Sequence, residues 1–466
     1  MANKRWLGRA GAVAEVNTIT IALTWAAGDT ITVTINAKDL LVTIGTLVTT
    51  AQVATTLKQA WEGETFTDTT ATVRPSGGGP DFTEYSEITA TVSGSVVTLT
   101  GDTAGVPWNV NSGMAVTEVT AGTGTATLAN ATAATGPNFA SDADNWSPTG
   151  VPGAADDLWF DNSDVSVLYG LDGISGTLTS CNVARSYIGT IGLPATNASG
   201  YPEYRLTYFD IDCSAVTIGY GEGSGSGRIK IDSGSVQTAL LIESTGSAAE
   251  VGIGGVVWKG THASNSLRLQ DGSVSISAFN GEPAALLTAE VTNGTLVAGP
   301  GFTAPLGTLT IQAGNVTMRD NVTTVTIADG TLTLLGTATV TTLNLDGGTF
   351  IHKSSGAITT AQVAGLLDAS QDNSSRTITT SGLSSTSLRP RSASRRSSSR
   401  PAKRPSRRFI LWQVWRRCSS SRTTRSSRRA WPVICRRPAS TRSGWVGGRL
   451  GSPVFVSRSP TCAFSI

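Results

Sequence analysis

A glycine that recurs at one fixed offset within a repeated apolar pattern constrains this chain more than any other feature. Six ten-residue segments, 229–238, 267–276, 289–298, 309–318, 325–334 and 343–352, carry apolar residues at positions 1, 3 and 8 and glycine at position 6. Position 6 is Gly234, Gly272, Gly294, Gly314, Gly330 and Gly348; position 3 is Ile231, Leu269, Val291, Ile311, Ile327 and Leu345; position 8 is Val236, Val274, Leu296, Val316, Leu332 and Phe350. Apolar residues two apart lie on one face of a strand. A glycine between two such strands lets the backbone turn with positive φ, where β-branched residues are strained. One coil of this kind cannot bury its apolar side, so coils stack and each pairs in parallel with the next. The spacing predicts a parallel β-solenoid over residues 165–365, about ten coils forming a rod of roughly 50 Å at ~4.8 Å per strand. Segment starts are 38, 22, 20, 16 and 18 residues apart, and the doubled first gap points to a coil near residues 240–242 that has lost the pattern. A sandwich of β-hairpins is the competing architecture, but hairpins need no glycine at a fixed offset.

Upstream, the vocabulary stays β-rich. Only 15% of the 466 residues are charged and 6% aromatic, as expected of many short strands joined by tight turns. Residues 16–120 predict a small β-rich domain with one helix. Runs at 18–22 and 30–35 flank Gly28 and Asp29 and read as a hairpin, with a further strand at 40–44. A helix over 50–61 places Val53, Leu57 and Trp61 on one face, capped by Thr49 or Thr50. Strands near 69–74, 86–92 and 95–100 complete the domain. Residues 121–141, rich in Ala, Thr, Gly and Asn, read as a linker or an extended crossover. The solenoid domain is placed at 142–372, opening with an irregular packed turn that feeds a strand at 158–160.

Charge divides the chain in two. All 33 Asp and Glu residues lie at or before Asp372, alongside 14 Lys and Arg, a net charge of −19, whereas residues 373–466 carry 21 basic residues and no acidic ones. Three readings fit this Arg/Ser-rich tail: a nucleic-acid-binding arm, a disordered solubilising segment, or a stretch translated out of frame. The loss of every acidic residue together with the Gly-Thr-Val vocabulary favours the last. A nucleic-acid partner follows only if the basic arm is genuine. Lys4, Arg5 and Arg9 precede an apolar stretch that Glu15 interrupts, so a secretory signal is not expected. No segment reaches the ~18 apolar residues of a membrane span, and a soluble chain made in the cytoplasm is expected, with no membrane partner.

Catalytic chemistry is sparsely supplied. His262 and His352 are the only histidines, and His352 falls at position 10 of a coil, where a wall residue is expected rather than a general base. No GxSxG motif is present. Cys181 and Cys213, the only cysteines before the tail, lack CxxC spacing and read as small buried hydrophobes. The glycine-rich run 219–227 lacks the Lys-Ser/Thr of a phosphate loop and reads as a flexible loop leaving the solenoid. Close carboxylate pairs are the better candidates: Asp142 with Asp144, Asp156 with Asp157, and Asp210 with Asp212. Asp210 and Asp212 would share one face of a strand, as carboxylates of solenoid glycosidases do, but solubilisation or calcium binding explains the pairs equally well. The chain is therefore expected to be non-enzymatic, with no catalytic residue, metal or cofactor assigned.

Two patterns carry a resemblance. Thr18-Ile19-Thr20-Ile21, Gly28-Asp29-Thr30-Ile31-Thr32-Val33, Thr50-Ala51-Gln52-Val53-Ala54, Val96-Val97-Thr98-Leu99-Thr100 and Thr103-Ala104-Gly105-Val106-Pro107 resemble a small domain common in virion-associated proteins of tailed phages. Asn145-Trp146 with Val151-Pro152-Gly153-Ala154-Ala155-Asp156-Asp157 resembles the opening motif of β-helical surface and phage proteins. The resemblance, spanning residues 16–360, implies a virion structural protein that projects as a fibre, spike or decoration. Its implied partners are other virion proteins and a host surface glycan or receptor. Exposed strand edges imply a homo-oligomer such as a trimer, or a capping element. A bacterial surface adhesin or matrix solenoid, and a polysaccharide-degrading β-helix enzyme, are the alternative classes.

Overall fold

The computed structural model describes residues 2–108, 113–197, 200–250, 253–277, 281–370 and 378–383. Apart from 378–383, the expectations for the basic tail lie outside the described residues. The fold is mainly β with one α-helix, and about ten solenoid coils lie between residues 157 and 378.

The small domain consists of two four-stranded antiparallel sheets and a helix around one core. Val16–Ala22 pairs with Val96–Gly101 on one side and Thr125–Thr132 on the other. Thr30–Ile35 pairs with Lys38–Thr43 and Met114–Val119 in the second sheet. The expected hairpin across Gly28 and Asp29 is therefore not formed, because its two strands belong to different sheets. Asp29, only 2% exposed, accepts hydrogen bonds from the Ala26 amide (2.7 Å) and the Ala121 amide (2.8 Å), fixing a corner between the sheets. The tight hairpin lies one connection later, where Asn36 and Ala37 both take positive φ (49° and 61°). Helix Thr50–Glu62 begins at a capping box between Thr49 and Gln52 and buries Val53, Leu57 and Trp61, as its periodicity predicts. Residues 121–141 are not a linker: Thr125–Thr132 is an edge strand. Its burial is confined to Ala126, so it shows no alternation to read.

The solenoid begins with the chain itself. Asn3–Trp6 pairs in parallel with Asp157–Phe160, so the small domain is an insertion into the first coil. Trp146–Ser147 then runs antiparallel to Asn3–Trp6 and covers the outer edge, forming the cap that an open parallel sheet requires. Trp6, Trp146 and Phe160 fill the end of the core with centroid separations of 5.1, 5.8 and 6.2 Å. Both indole N–H groups are satisfied by carbonyls, Trp6 donating to Val165 and Trp146 to Ala140, each at 2.8 Å.

Beyond this cap, one sheet of thirteen strands and another of nine face each other across a continuous core. All strand pairs in both sheets are parallel except the capping pair, which rules out the hairpin sandwich. Five of the six repeat segments fold as predicted. Leu306–Ile311 in the long sheet, for example, turns through Gly314 into Asn315–Met318 in the short sheet. Segment 229–238 is out of phase: Ile229–Asp232 belongs to the short sheet, and Gly234 turns the opposite corner. Ala239–Ile242 is a regular long-sheet strand, paired with Cys213–Tyr220 and Ser266–Leu269, and the coil is long because 243–250 and 253–255 lie outside the sheets before Val256. The repeat also outlasts Asp372, since Ile378–Leu383 adds a strand beside Ile358–Val363.

The corner glycines stack. At Gly314 φ is +86°, and an added Cβ would lie 2.4 Å from the carbonyl oxygen of Gly294 in the preceding coil. The Gly314 carbonyl in turn accepts from the Thr331 amide of the following coil at 2.8 Å. Gly336 takes positive φ (+69°) with open space around its Cβ direction. Gly336→Ala therefore incurs backbone strain alone, about 1–2 kcal/mol, whereas Gly314→Ala adds overlap with backbone and is expected to cost about 3 kcal/mol or more. Urea unfolding midpoints of the two variants measure the difference. In the small domain, hydrogen bonds from the Leu47 amide and the Thr70 hydroxyl hold the Asp68 carboxyl down to about 2 from its ordinary 3.8. A lowered folded-state value stabilises the fold above the unfolded value and is lost as pH falls through the folded one. Asp68→Asn should be less stable than the native chain at pH 6, with the gap in melting temperature closing between about pH 4 and pH 2.

Candidate functional site

Alternation along the first long-sheet strands places a set of side chains outside the core. In Asp157–Phe160, Leu158 and Phe160 are fully buried, so Trp159 faces outward. In Asn3–Trp6, Lys4 and Trp6 are buried and Arg5 faces outward, in register with Trp159. A register shift between Val183 and Ala184 pairs Ala184 with Tyr220 at the end of Cys213–Tyr220. The small Ala184 leaves room, and Tyr220 meets Trp159 edge to face, with centroids 6.3 Å apart at 88°. These residues line an open groove of 690 Å³ together with Asp161, Asn162 and Glu222.

The groove is electrostatically mixed. Arg5 Nε lies 3.2 Å from Asp161 Oδ1, with the arginine side chain 55% exposed and the aspartate 14%. Burial, followed by the Asp161 charge, pushes the Tyr220 hydroxyl up to about 12, so it remains a neutral donor. Trp159 Nε1 is buried and makes no hydrogen bond, whereas the buried Asp161 Oδ1 faces Arg5 in the ion pair. Buried polar atoms are nearly always satisfied, so the unpartnered indole N–H of Trp159 is unusual.

The carboxylate pairs serve other ends. Asp142 accepts from the Asp144 amide at 3.1 Å and caps a short 3₁₀ turn. Asp156 accepts from the Ala2 amide (2.7 Å) and the Gly153 amide (3.1 Å); against the upward push of burial, these bonds leave its carboxyl below the ordinary range. Its neighbour Asp157 accepts from the Ser180 hydroxyl on the adjacent strand. Asp210 ends the strand Phe209–Asp210, and Asp212 lies beyond it in the corner before Cys213–Tyr220, with the buried Ile211 between them, so the two do not stand on one strand. Asp232 stands in register with Asp210, and Lys259 Nζ lies 3.0 Å from Asp232. Burial, then the charges of Asp232 and Asp212, push the Asp210 carboxyl up. Among the described residues, no group of three or more His, Cys, Asp or Glu is placed to hold a metal ion.

His352 is fully buried and meets Phe350 edge to face at 5.9 Å, the wall position expected of it. His262 Nδ1 accepts from the Ser264 amide within a turn. Cys181 and Cys213 are buried, unpaired thiols of the core. The run 219–227 is not a loose loop, because the Gly225 amide donates to the Arg185 carbonyl at 2.9 Å and a Cβ on Gly223 would lie 2.2 Å from that oxygen. No helix follows it.

A second cluster joins the small domain to the solenoid. Arg205, 8% exposed, donates to the Pro107 carbonyl (2.7 Å) and to the Glu87 and Glu203 carboxylates, and Tyr204 donates to Glu87 at 2.8 Å. Each of its three guanidinium nitrogens donates within the protein, so this is a joint between the two bodies rather than a ligand site. No family model, curated protein or solved structure matches the chain. No helix among the described residues is long and apolar enough to cross a membrane.

Removing one partner from a largely buried ion pair costs about 3 kcal/mol. Arg205→Met should leave both bodies folded yet loosen the joint. Limited proteolysis is expected to cut the variant within residues 133–137 while the native chain resists under the same conditions.

Proposed function

We propose that the protein is a structural component of a tailed-phage particle, a projecting fibre, spike or decoration that binds rather than catalyses. The observation that carries this reading is the insertion of the small domain into the first coil. It leaves a rod that carries a separate module at one end, fastened by two chain connections and the Arg205 joint. Such a body suits attachment at one end and presentation along its length. The two sequence patterns that resemble phage virion and β-helical proteins support the same assignment, as does the engagement of Asp142, Asp156 and Asp157 in local structure. Its partners are then other virion proteins at the small domain and further copies of the chain along the rod. A receptor on the host surface meets the solenoid faces.

Particles purified on a density gradient from cultures that produce the chain decide the matter. The full-length protein should co-sediment with the capsid at fixed stoichiometry, and antibodies against residues 16–120 should label it only after the particle is disrupted. Recovery solely from the cell envelope, with no particle fraction, would transfer the assignment to an adhesin.

A further inference from the structure

From the groove beneath Trp159 and Tyr220 we infer a binding site for a neutral oligosaccharide. The inference takes up the binding role proposed above and gives it a place and a ligand class. The groove crosses five neighbouring strands, Trp146–Ser147, Asn3–Trp6, Asp157–Phe160, Leu178–Ala184 and Cys213–Tyr220. At ~4.8 Å per strand it runs about 19 Å along the rod, room for a short oligosaccharide lying across the sheet. Trp159 and Tyr220 supply aromatic surface for the C–H faces of sugar rings, and Tyr220 adds its hydroxyl. Arg5 offers donors, while Asp161 and Glu222 offer acceptors.

Charge separates this ligand from other classes. One arginine set against two carboxylates gives no positive field, so a polyanion such as nucleic acid is disfavoured. A peptide adding as a strand needs a free sheet edge of some length, and the edge strand at the groove, Trp146–Ser147, is two residues long and followed by Pro148. Arg5, 55% exposed, keeps guanidinium donors beyond the one that faces Asp161, and these are open to a sugar hydroxyl.

The test uses the full chain with three defined probes: maltohexaose, cellohexaose and a hexamer of β-1,4-linked N-acetylglucosamine. At least one should give saturation-transfer NMR signals and a calorimetric Kd in the micromolar to low millimolar range. Trp159→Ala and Tyr220→Ala should each weaken that binding at least tenfold, while Trp159→Phe retains part of it and all three keep the native circular dichroism spectrum. Absence of binding by all three probes overturns the inference, and so does binding that both alanine variants leave unchanged. The particle assignment fails or stands separately, on co-sedimentation.

Discussion

Everything regular in this molecule depends on a contact between backbones at one corner. From Gly272 through Gly294, Gly314, Gly330 and Gly348, each glycine carbonyl accepts the amide that follows the glycine of the next coil, at 2.7–2.9 Å. An added Cβ at each later glycine would strike the oxygen beneath it at 2.4–2.5 Å, so the corner tolerates no side chain. This ladder sets the phase of the coils, and phase sets the core. Ile311, Ile327 and Leu345 stack on one side, and Val316, Leu332 and Phe350 on the other, each in register with the residue one coil away. A slip of one residue would turn every one of them to solvent. The ladder starts where Thr245 occupies the equivalent corner and its hydroxyl accepts the Ser273 amide at 2.9 Å.

The rod is consequently of two kinds. After Gly272 the coils are short and nearly identical, and their outer faces are repetitive. Before it, coils carry long excursions, a register shift and the inserted domain, and every asymmetric feature sits there: the Trp6 and Trp146 plug, the Arg205 joint and the Trp159 groove. A repetitive surface offers the same chemistry at each step, whereas a selective site needs unlike residues brought together. Irregularity at one end is what allows such a site without disturbing the stack.

That division also explains what could be read from the sequence. The regular coils were legible because both their signals, alternation and the corner glycine, are local. Segment 229–238 was misread for the same reason, since Gly234 at the opposite corner sits in the same local apolar pattern as the ladder glycines and differs in its spatial partners. Asn3–Trp6 was invisible, being four residues long, half charged, and paired with a strand some 150 residues away. The groove could not be assembled either, because Arg5, Trp159 and Tyr220 are brought together by register and share no spacing. One sign was present: an aromatic residue between Leu158 and Phe160 had to face outward. The carboxylates were legible as pairs, but only packing showed that Asp156 and Asp157 are occupied by amides and a serine.

In-register stacking accounts for the low charge as well. A charged residue on an outer face has the same position of the next coil about 5 Å away, so like charges in one column repel. Charges in the sheets therefore pair with opposites between coils: Arg268 stands beside Glu290 at 3.5 Å, and Asp232 beside Lys259 at 3.0 Å. Elsewhere the long sheet uses threonine, with Thr288, Thr308, Thr324, Thr342 and Thr360 following one another in a single column. Threonine tolerates a copy of itself above and below, and its β-branch suits a strand. Asp210 and Asp232 break the rule, as two carboxylates in register, and Asp210 is pushed upward by burial first and then by the charge of Asp232. Lys259, one coil further on, limits the repulsion by neutralising Asp232. The exception thus falls within the irregular coils, where neighbouring positions no longer repeat and a column can end after two residues.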